Sequence, residues 1–197
     1  MRKKENIETV YAASLTVFAE FGFKKTTMED IATKLGMTKG NLYLYAKNKK
    51  DLYRNTVSHA LLKWQNLVRE RVEQETNPKE QFLVMCHKAV DYLSHDDDFR
   101  KVLVRDPDIF PMFSSEDSFS DINRNSVEMI KGIIERGIKE NLFRKVNAEK
   151  ISEIVFSIYK MFIIRAYVKE EDKVIQRMFE ETVELLTTGL FIDTAKA

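Results

Sequence analysis

The amino-acid sequence predicts an all-α protein of about nine helices. Apolar residues recur at three- and four-residue steps along most of the 197 positions, and no segment alternates apolar and polar residues as a half-buried strand would. Only 6 Gly and 3 Pro are present, and so few breakers favour long helices over many short strands. Because 44% of the residues are hydrophobic, the chain can bury a core and is not expected to be disordered.

The helix boundaries follow from capping residues and breakers. Ser, Thr, Asp and Asn side chains accept backbone hydrogen bonds at helix starts, whereas glycine is favoured just past helix ends. Two overlapping capping boxes, Thr26–Glu29 and Thr27–Asp30, can start the second helix. These signals predict helices over about residues 5–22, 28–35, 38–45, 49–72, 78–93, 98–105, 120–140, 147–168 and 171–191, with a further irregular one near 108–113.

Charge is unevenly distributed along the chain. Up to residue 54 there are 11 Lys and Arg against 6 Asp and Glu, whereas the remainder holds 21 against 25. A head of +5 on a body of −4 favours an anionic partner for the N-terminal part. The basic N-terminal part, up to about residue 54, is therefore the part of the chain expected to meet such a partner.

Residues 28–45 have the composition of a helix-turn-helix. The small side chain of Ala32 allows two short helices to approach closely, and Gly36 can supply the left-handed conformation of a tight turn. The second short helix then presents polar side chains outward, together with the larger Tyr43 and Leu44. Gly40 lets the backbone come near a ligand. This outward set suits a major groove and its flanking phosphates; it consists of Thr38, Lys39, Gly40, Asn41, Tyr43 and Leu44.

The same segment carries a longer pattern of matching positions. They are Phe18, Gly22-Phe23, Thr26-Thr27, Asp30-Ile31-Ala32, Gly36, Gly40, Leu42-Tyr43, Tyr45, Lys49 and Leu52. With these positions in register, residues 12–53 resemble the DNA-binding head of the TetR family of bacterial transcriptional repressors. Ala46 departs from the pattern, since the family usually has Phe at that place.

The resemblance implies an all-helical homodimer with a helix-turn-helix DNA-binding domain over 1–54 and a larger ligand-binding and dimerisation domain over 55–197. It also assigns roles to single residues. The recognition helix would carry Thr38, Lys39, Gly40, Asn41 and Tyr43. Positions that commonly contact phosphate in the family correspond to Thr27, Tyr43, Tyr45 and Lys49. Two recognition helices about 34–36 Å apart would meet successive major-groove faces of a palindromic double-stranded DNA operator.

The body of the chain is expected to provide a dimer interface and a ligand pocket. Family members pair their last two long helices with a second subunit, and here those helices have broad apolar faces that include Ile154, Ile158, Met178, Val183, Leu186 and Leu190. Large apolar side chains on the middle and later helices could line a cavity for a hydrophobic inducer whose identity the sequence does not reveal. The candidates are Phe82, Met85, Cys86, Phe99, Phe110, Phe113, Tyr159 and Phe162.

The sequence therefore predicts a TetR-like repressor without enzymatic activity, cofactor or metal. The single cysteine, Cys86, rules out an intrachain disulfide and suits the cytoplasm, and no apolar run reaches the length of a membrane span. The run His95-Asp96-Asp97-Asp98 is interpreted as a helix cap rather than a cation site. An alternative function is a helical small-molecule-binding or scaffolding protein whose head contacts another protein, and an enzyme using His87 or the acidic run is a third.

Overall fold

The computed structural model describes residues 6–111, 118–168 and 172–192. Within these ranges the chain forms nine α-helices and no β-strand, so the all-α prediction is confirmed. The helices are α1 (Ile7–Lys25), α2 (Met28–Lys34), α3 (Lys39–Leu42), α4 (Lys49–Glu73), α5 (Pro78–His95), α6 (Asp97–Arg105), α7 (Ser120–Lys139), α8 (Ala148–Val168) and α9 (Asp172–Leu190). None of these described helices is long and apolar enough to cross a membrane.

The observed boundaries differ from the predicted ones at several places, and α3 for example ends at Leu42 rather than near residue 45. Gly22 breaks the first helix with a φ of 75°, but helical turns resume after it and α1 reaches Lys25. Of the two alternative capping boxes only Thr27–Asp30 forms, because the buried Thr26 hydroxyl donates instead to the Gly22 carbonyl at 2.8 Å. The irregular helix near 108–113 is a single 3-10 turn over Pro107–Ile109, and the residues from 112 to 117 lie outside the described ranges.

The described residues form two compact units. The first contains the chain up to residue 63 together with 93–106, and the second contains 64–92 together with the described residues from 107 onward. Compactness does not define function, so the functional division between residues 54 and 55, which falls inside α4, remains a prediction.

The first unit is organised around three aromatic rings from α1 and α4. The Phe18 and Tyr53 rings meet edge to face with centroids 4.9 Å apart, and Phe23 lies at the same distance from Tyr53. The Tyr53 hydroxyl donates to the Asp106 carboxylate at 2.6 Å, directly after α6. Burial, followed by this hydrogen bond and the Asp106 charge, raises the pKa of Tyr53 well above its ordinary value. The cluster thus joins the head helices to the segment that ends α6.

In α6 the acidic run acts as the predicted cap. Asp96 accepts a hydrogen bond from the Phe99 amide at 3.0 Å, and Asp97 pairs with Arg100 at 2.6 Å. Asp98 accepts from the Thr16 hydroxyl of α1 at 2.6 Å. Each of the three carboxylates therefore has a structural partner, and the interpretation as a capping sequence is confirmed.

The second unit contains another aromatic cluster, at the point where α9 ends. Phe143 and Phe191 stack with centroids 4.8 Å apart, and Phe82 meets both rings edge to face. The Arg144 amide donates to the Leu190 carbonyl and the Ile192 amide to the Leu142 carbonyl, both at 2.8 Å. These contacts fasten the end of α9 to the loop that precedes α8.

Candidate nucleic-acid interface

The turn between α2 and α3 has the geometry that the sequence predicts. Gly36 has a φ of 63°, in the left-handed region. The Gly36 amide donates to the Thr33 carbonyl at 3.0 Å and the Met37 amide to the Ala32 carbonyl at 2.9 Å, the pattern of a Schellman motif. Ile31 and Ala32 are fully buried on the inner side of α2. The turn is therefore fixed by backbone hydrogen bonds and by core packing together.

The start of α2 is held by a complete capping box. The Thr27 amide and hydroxyl donate to the Asp30 carboxylate at 2.7 and 2.8 Å, and the Asp30 amide donates back to the Thr27 hydroxyl at 3.2 Å. The hydrogen bond from the Thr27 amide, and then that from its hydroxyl, holds the pKa of Asp30 below its usual value. Thr27 is exposed, so the box fixes α2 while leaving this residue accessible.

The short helix α3 presents a mixed face to solvent. Thr38 caps it by accepting from the Asn41 amide at 3.3 Å, and Leu42 is fully buried as the inward anchor. Among the described contacts no hydrogen bond engages the Asn41 side chain, which is half-buried. Tyr43 is 46% exposed and Leu44 is 73% exposed. Hydrogen-bonding groups and one large apolar side chain therefore point away from the core.

The ammonium of Lys49, which is among the predicted contact residues, is engaged inside the chain. It donates to the carbonyls of Phe23, Thr26 and Lys24 at 2.8, 2.9 and 3.3 Å, and it lies 4.6 Å from the centroid of the Phe23 ring. An ammonium has three donors, and all three are used here. These hydrogen bonds satisfy carbonyl groups at the C-terminal end of α1, where a cation is favoured. In this structure Lys49 serves the packing of the head.

The head that carries α3 is rich in exposed lysines. Several lysines of the head lie on its surface, while Glu29 and Asp30 at the start of α2 supply the neighbouring negative charge. Lysine is the residue type that neutralises nucleic-acid phosphate and releases its counterions. The exposed lysines are Lys24, Lys25, Lys34, Lys39, Lys47 and Lys50.

The predicted pocket residues are distributed over both units. Phe82, Met85, Cys86, Phe110 and Phe162 are buried in the second unit, and Tyr159 there is half-buried. Burial raises the pKa of the Cys86 thiol to about 12, which keeps it protonated at neutral pH.

Two of the pocket candidates lie apart from this group. Phe99 is fully buried in the first unit, on α6, while Phe113 lies outside the described residues.

Sequence reasoning missed the central position of Trp64 in the second unit. Its ring lies within about 6 Å of Phe110 and Tyr159, at 6.1 and 5.9 Å, and stacks on Tyr92 at 6.4 Å. Its indole N–H donates to the Ala89 carbonyl at 3.0 Å. Trp64 is the only tryptophan of the sequence and lies on the apolar stripe of α4, so its burial could have been predicted.

The predicted interface residues on α8 and α9 differ in how exposed they are. Ile154 is 50% exposed, and Ile158, Met178 and Leu186 are half-buried. The other two predicted members, Val183 and Leu190, are buried within the chain and belong to its core.

Three exposed apolar residues on these helices escaped the prediction. Met161 on α8 is 43% exposed, and Val174 and Leu185 on α9 are 62% and 74% exposed.

A helix-turn-helix with an outward polar face, set in a lysine-rich head, defines the class of DNA-binding transcriptional regulators. The model of the family described as bacterial regulatory proteins, tetR family, matches residues 10–56. This match covers the turn, α3 and the capping box, and the full helical architecture agrees with it. The head of the chain, over residues 10–56, therefore matches the TetR family.

Similar proteins extend the likeness in fold over most of the chain. An uncharacterized HTH-type transcriptional regulator of Bacillus subtilis (strain 168), YhgD, is 26% identical over 164 residues, which cover 80% of each chain. A TetR transcription regulator from Haloarcula marismortui ATCC 43049 has a TM-score of 0.81 at 20% identity, covering 94% of this chain and 98% of that one. The transcriptional regulator FadR from Bacillus subtilis, solved in complex with stearoyl-CoA, has a TM-score of 0.78 at 18% identity, covering 93% and 99%. At such identities the two structures establish the fold alone.

Proposed function

We propose that the protein is a repressor that binds a palindromic operator in double-stranded DNA as a homodimer and leaves it when a hydrophobic small molecule binds. The observation that carries this proposal is the exposed face of α3, which the Gly36 turn and the buried Leu42 hold in a fixed orientation. Such a face can enter a major groove, where base edges offer hydrogen-bond partners. The proposed place of action is the cytoplasm.

The contact residues divide by the chemistry that they offer. Lys39 can donate to guanine or to phosphate, and Asn41 has an amide that can pair with adenine. Tyr43, Thr38 and Gly40 complete the face, the last by permitting close approach. Thr27 and Tyr45 are proposed phosphate contacts at its border. For Lys49 we propose a positioning role, because its ammonium is occupied by three backbone carbonyls.

Selection of bound duplexes from a random DNA pool at about 150 mM salt, an ionic strength at which only close charge pairs act strongly, tests the proposal. The wild type is expected to enrich a palindrome. The matched control combines Lys39→Ala, Asn41→Ala and Tyr43→Ala, which alter exposed or half-exposed side chains and leave the buried Leu42 in place. Equal enrichment by the wild type and the control would contradict a role of α3 in reading DNA.

The salt dependence of binding separates this function from the scaffolding alternative. Each phosphate that a protein neutralises contributes about 0.9 to the slope of log affinity against log salt. A DNA-binding head that uses several exposed lysines should therefore have a steep slope. Binding that is insensitive to salt would favour a protein partner for the head instead.

For the inducer we propose a molecule with a long acyl chain. The second unit has the buried aromatic side chains Phe82, Phe110 and Phe162, which favour an apolar ligand. Stearoyl-CoA is present in the FadR structure, whose fold this chain shares. A ligand that binds better to the form with a DNA-incompetent spacing of the heads would shift the population away from DNA.

Stearoyl-CoA can be used directly as the probe. Added to the protein on its selected duplex, it is expected to release the DNA and to raise the melting temperature of the free protein. Saturation at 100 times the dissociation constant corresponds to about 2.7 kcal/mol of added stability. Free coenzyme A is the control and should do neither. If both compounds act alike, the acyl chain is not the group that is recognised.

A further inference from the structure

Leu44 is an exposed apolar residue whose position the core does not explain. Its side chain is 73% exposed at the end of α3, whereas the neighbouring Leu42 is fully buried. Burying a leucine side chain stabilises a protein, and the largely exposed Leu44 gains little of this stabilisation on folding. Single exposed leucines are common on protein surfaces, so exposure alone assigns no role.

A second feature of the same face concerns Gly40. Its φ is not in the left-handed region, and a Cβ built on it would meet only the Thr38 hydroxyl, at 3.9 Å. Neither backbone conformation nor packing therefore requires glycine at this position. Glycine does allow a ligand to come close to the backbone.

Leu44 lies at helical spacing from both Gly40 and Asn41 on the recognition segment. It follows Gly40 by four residues and Asn41 by three, and its amide donates to the Asn41 carbonyl at 3.1 Å, which continues the helical path beyond α3. The segment therefore offers the open space beside Gly40, the side-chain amide of Asn41 and the apolar side chain of Leu44. A surface with this sequence of groups fits a ligand that offers hydrogen-bonding edges and an apolar group side by side.

The major groove of DNA offers one such apolar group, the C5-methyl of thymine. The charged phosphate groups of the backbone gain nothing from leucine. We propose that Leu44 is a specificity-determining residue that contacts a thymine methyl group in each half of the operator, next to the base pair that Asn41 reads. This inference rests on the proposed DNA-binding function and adds a base preference to it.

Replacing thymine by deoxyuridine tests the proposal, because the two bases differ only in the methyl group. Each thymine of the selected duplex is replaced in turn, symmetrically in both half-sites, and binding of the wild-type protein is measured by fluorescence anisotropy. One symmetric replacement is expected to weaken binding about fourfold per half-site, the value of one buried methyl group, and about sixteenfold in total.

Leu44→Ala should bind the thymine duplex as weakly as the wild type binds the deoxyuridine duplex, and should no longer distinguish the two. Leu62→Ala, which alters another exposed leucine of the same unit (38% exposed), is the matched control and should still distinguish them. The wild-type scan needs no variant and therefore does not depend on folding.

The outcomes separate the two proposals. If a palindrome is selected but no deoxyuridine replacement changes binding, or if Leu44→Ala still senses the methyl group, the role of Leu44 is overturned while DNA binding stands. If no duplex is selected, the operator proposal fails and this inference fails with it.

Discussion

At the residue scale, Lys49 shows how a cation in a DNA-binding head can serve the fold. Its three hydrogen bonds reach carbonyls that lie 23 to 26 residues earlier in the chain. No local pattern reveals such partners, so sequence comparison alone places Lys49 among phosphate contacts. The structure supports a different role for the same residue.

Lys49→Met, which keeps most of the aliphatic stem, is expected to lower the free energy of unfolding by about 2 kcal/mol, because hydrogen bonds to a charged group are lost. Lys50→Met is the matched control on an exposed neighbour and should change stability by less than about 0.5 kcal/mol. Urea denaturation measures both. A phosphate ligand without a structural role would give the opposite result: unchanged stability, and a salt slope smaller by about 0.9.

Tyr53 provides a pH-dependent test of the first unit. Its pKa is raised in the folded state, first by burial and then by Asp106, so the protonated hydroxyl stabilises the fold. This contribution is fully present below the pKa of the unfolded state, about 10, and is lost as the pH rises above it. Tyr53→Phe should therefore lose less stability than the wild type between about pH 9 and pH 11.5.

Denaturant unfolding at both pH values measures this difference. Tyr43→Phe alters a tyrosine that is 46% exposed and serves as the matched control. If Tyr53→Phe shows the same alkaline loss of stability as the wild type and this control, the hydroxyl does not contribute in the way described.

At the element scale, the end of α7 is defined by a close contact that only glycine permits. A Cβ on Gly137 would overlap the Phe143 ring, which stacks on Phe191. Asn141, with a φ of 57°, ends the helix, and the Leu142 amide donates to the Gly137 carbonyl at 2.8 Å. The ring is thus folded back onto the helix that precedes it.

Gly137→Ala is expected to destabilise the protein by about 1–3 kcal/mol, the usual cost of overpacking. Gly132→Ala is a matched control in the same helix, since a Cβ there meets nothing within 4 Å. That substitution should stabilise the protein by about 0.5–1 kcal/mol, because alanine is the better helix former. Thermal unfolding of the two variants compares them. Equal effects of the two changes would contradict the close contact.

The helix boundaries could be predicted from sequence because caps and breakers act within four residues. Thr27, Thr38 and Gly36 have the predicted roles, and each role depends only on neighbouring backbone groups. The orientation of α9 could not be predicted in the same way. Its apolar residues lie on more than one side, and only packing shows that Val183 is buried while Leu185 is 74% exposed.

At the scale of the whole molecule, the exposed apolar residues on α8 and α9 support the proposed homodimer. Ile154 and Leu185 are 50% and 74% exposed, so in a monomer their apolar surface is in contact with water, which is unfavourable. Covering this surface would stabilise an interface. A twofold axis would use the same residues from both copies, so one substitution changes the interface twice. This doubling makes a single charged variant a strong test.

Leu185→Lys is therefore expected to convert the proposed wild-type dimer into a monomer, as measured by analytical ultracentrifugation. Leu67→Lys is the matched control, on a leucine of the same unit that is 38% exposed, and should remain dimeric. The monomer should lose most of its affinity for the palindrome, because a dimer joins two half-sites about 34–36 Å apart and each half-site binds weakly alone. Its affinity for an isolated half-site should equal that of the wild-type head. A Leu185→Lys protein that stays dimeric would place the interface elsewhere, whereas a monomer that still binds the full palindrome tightly would show that pairing is not needed for recognition.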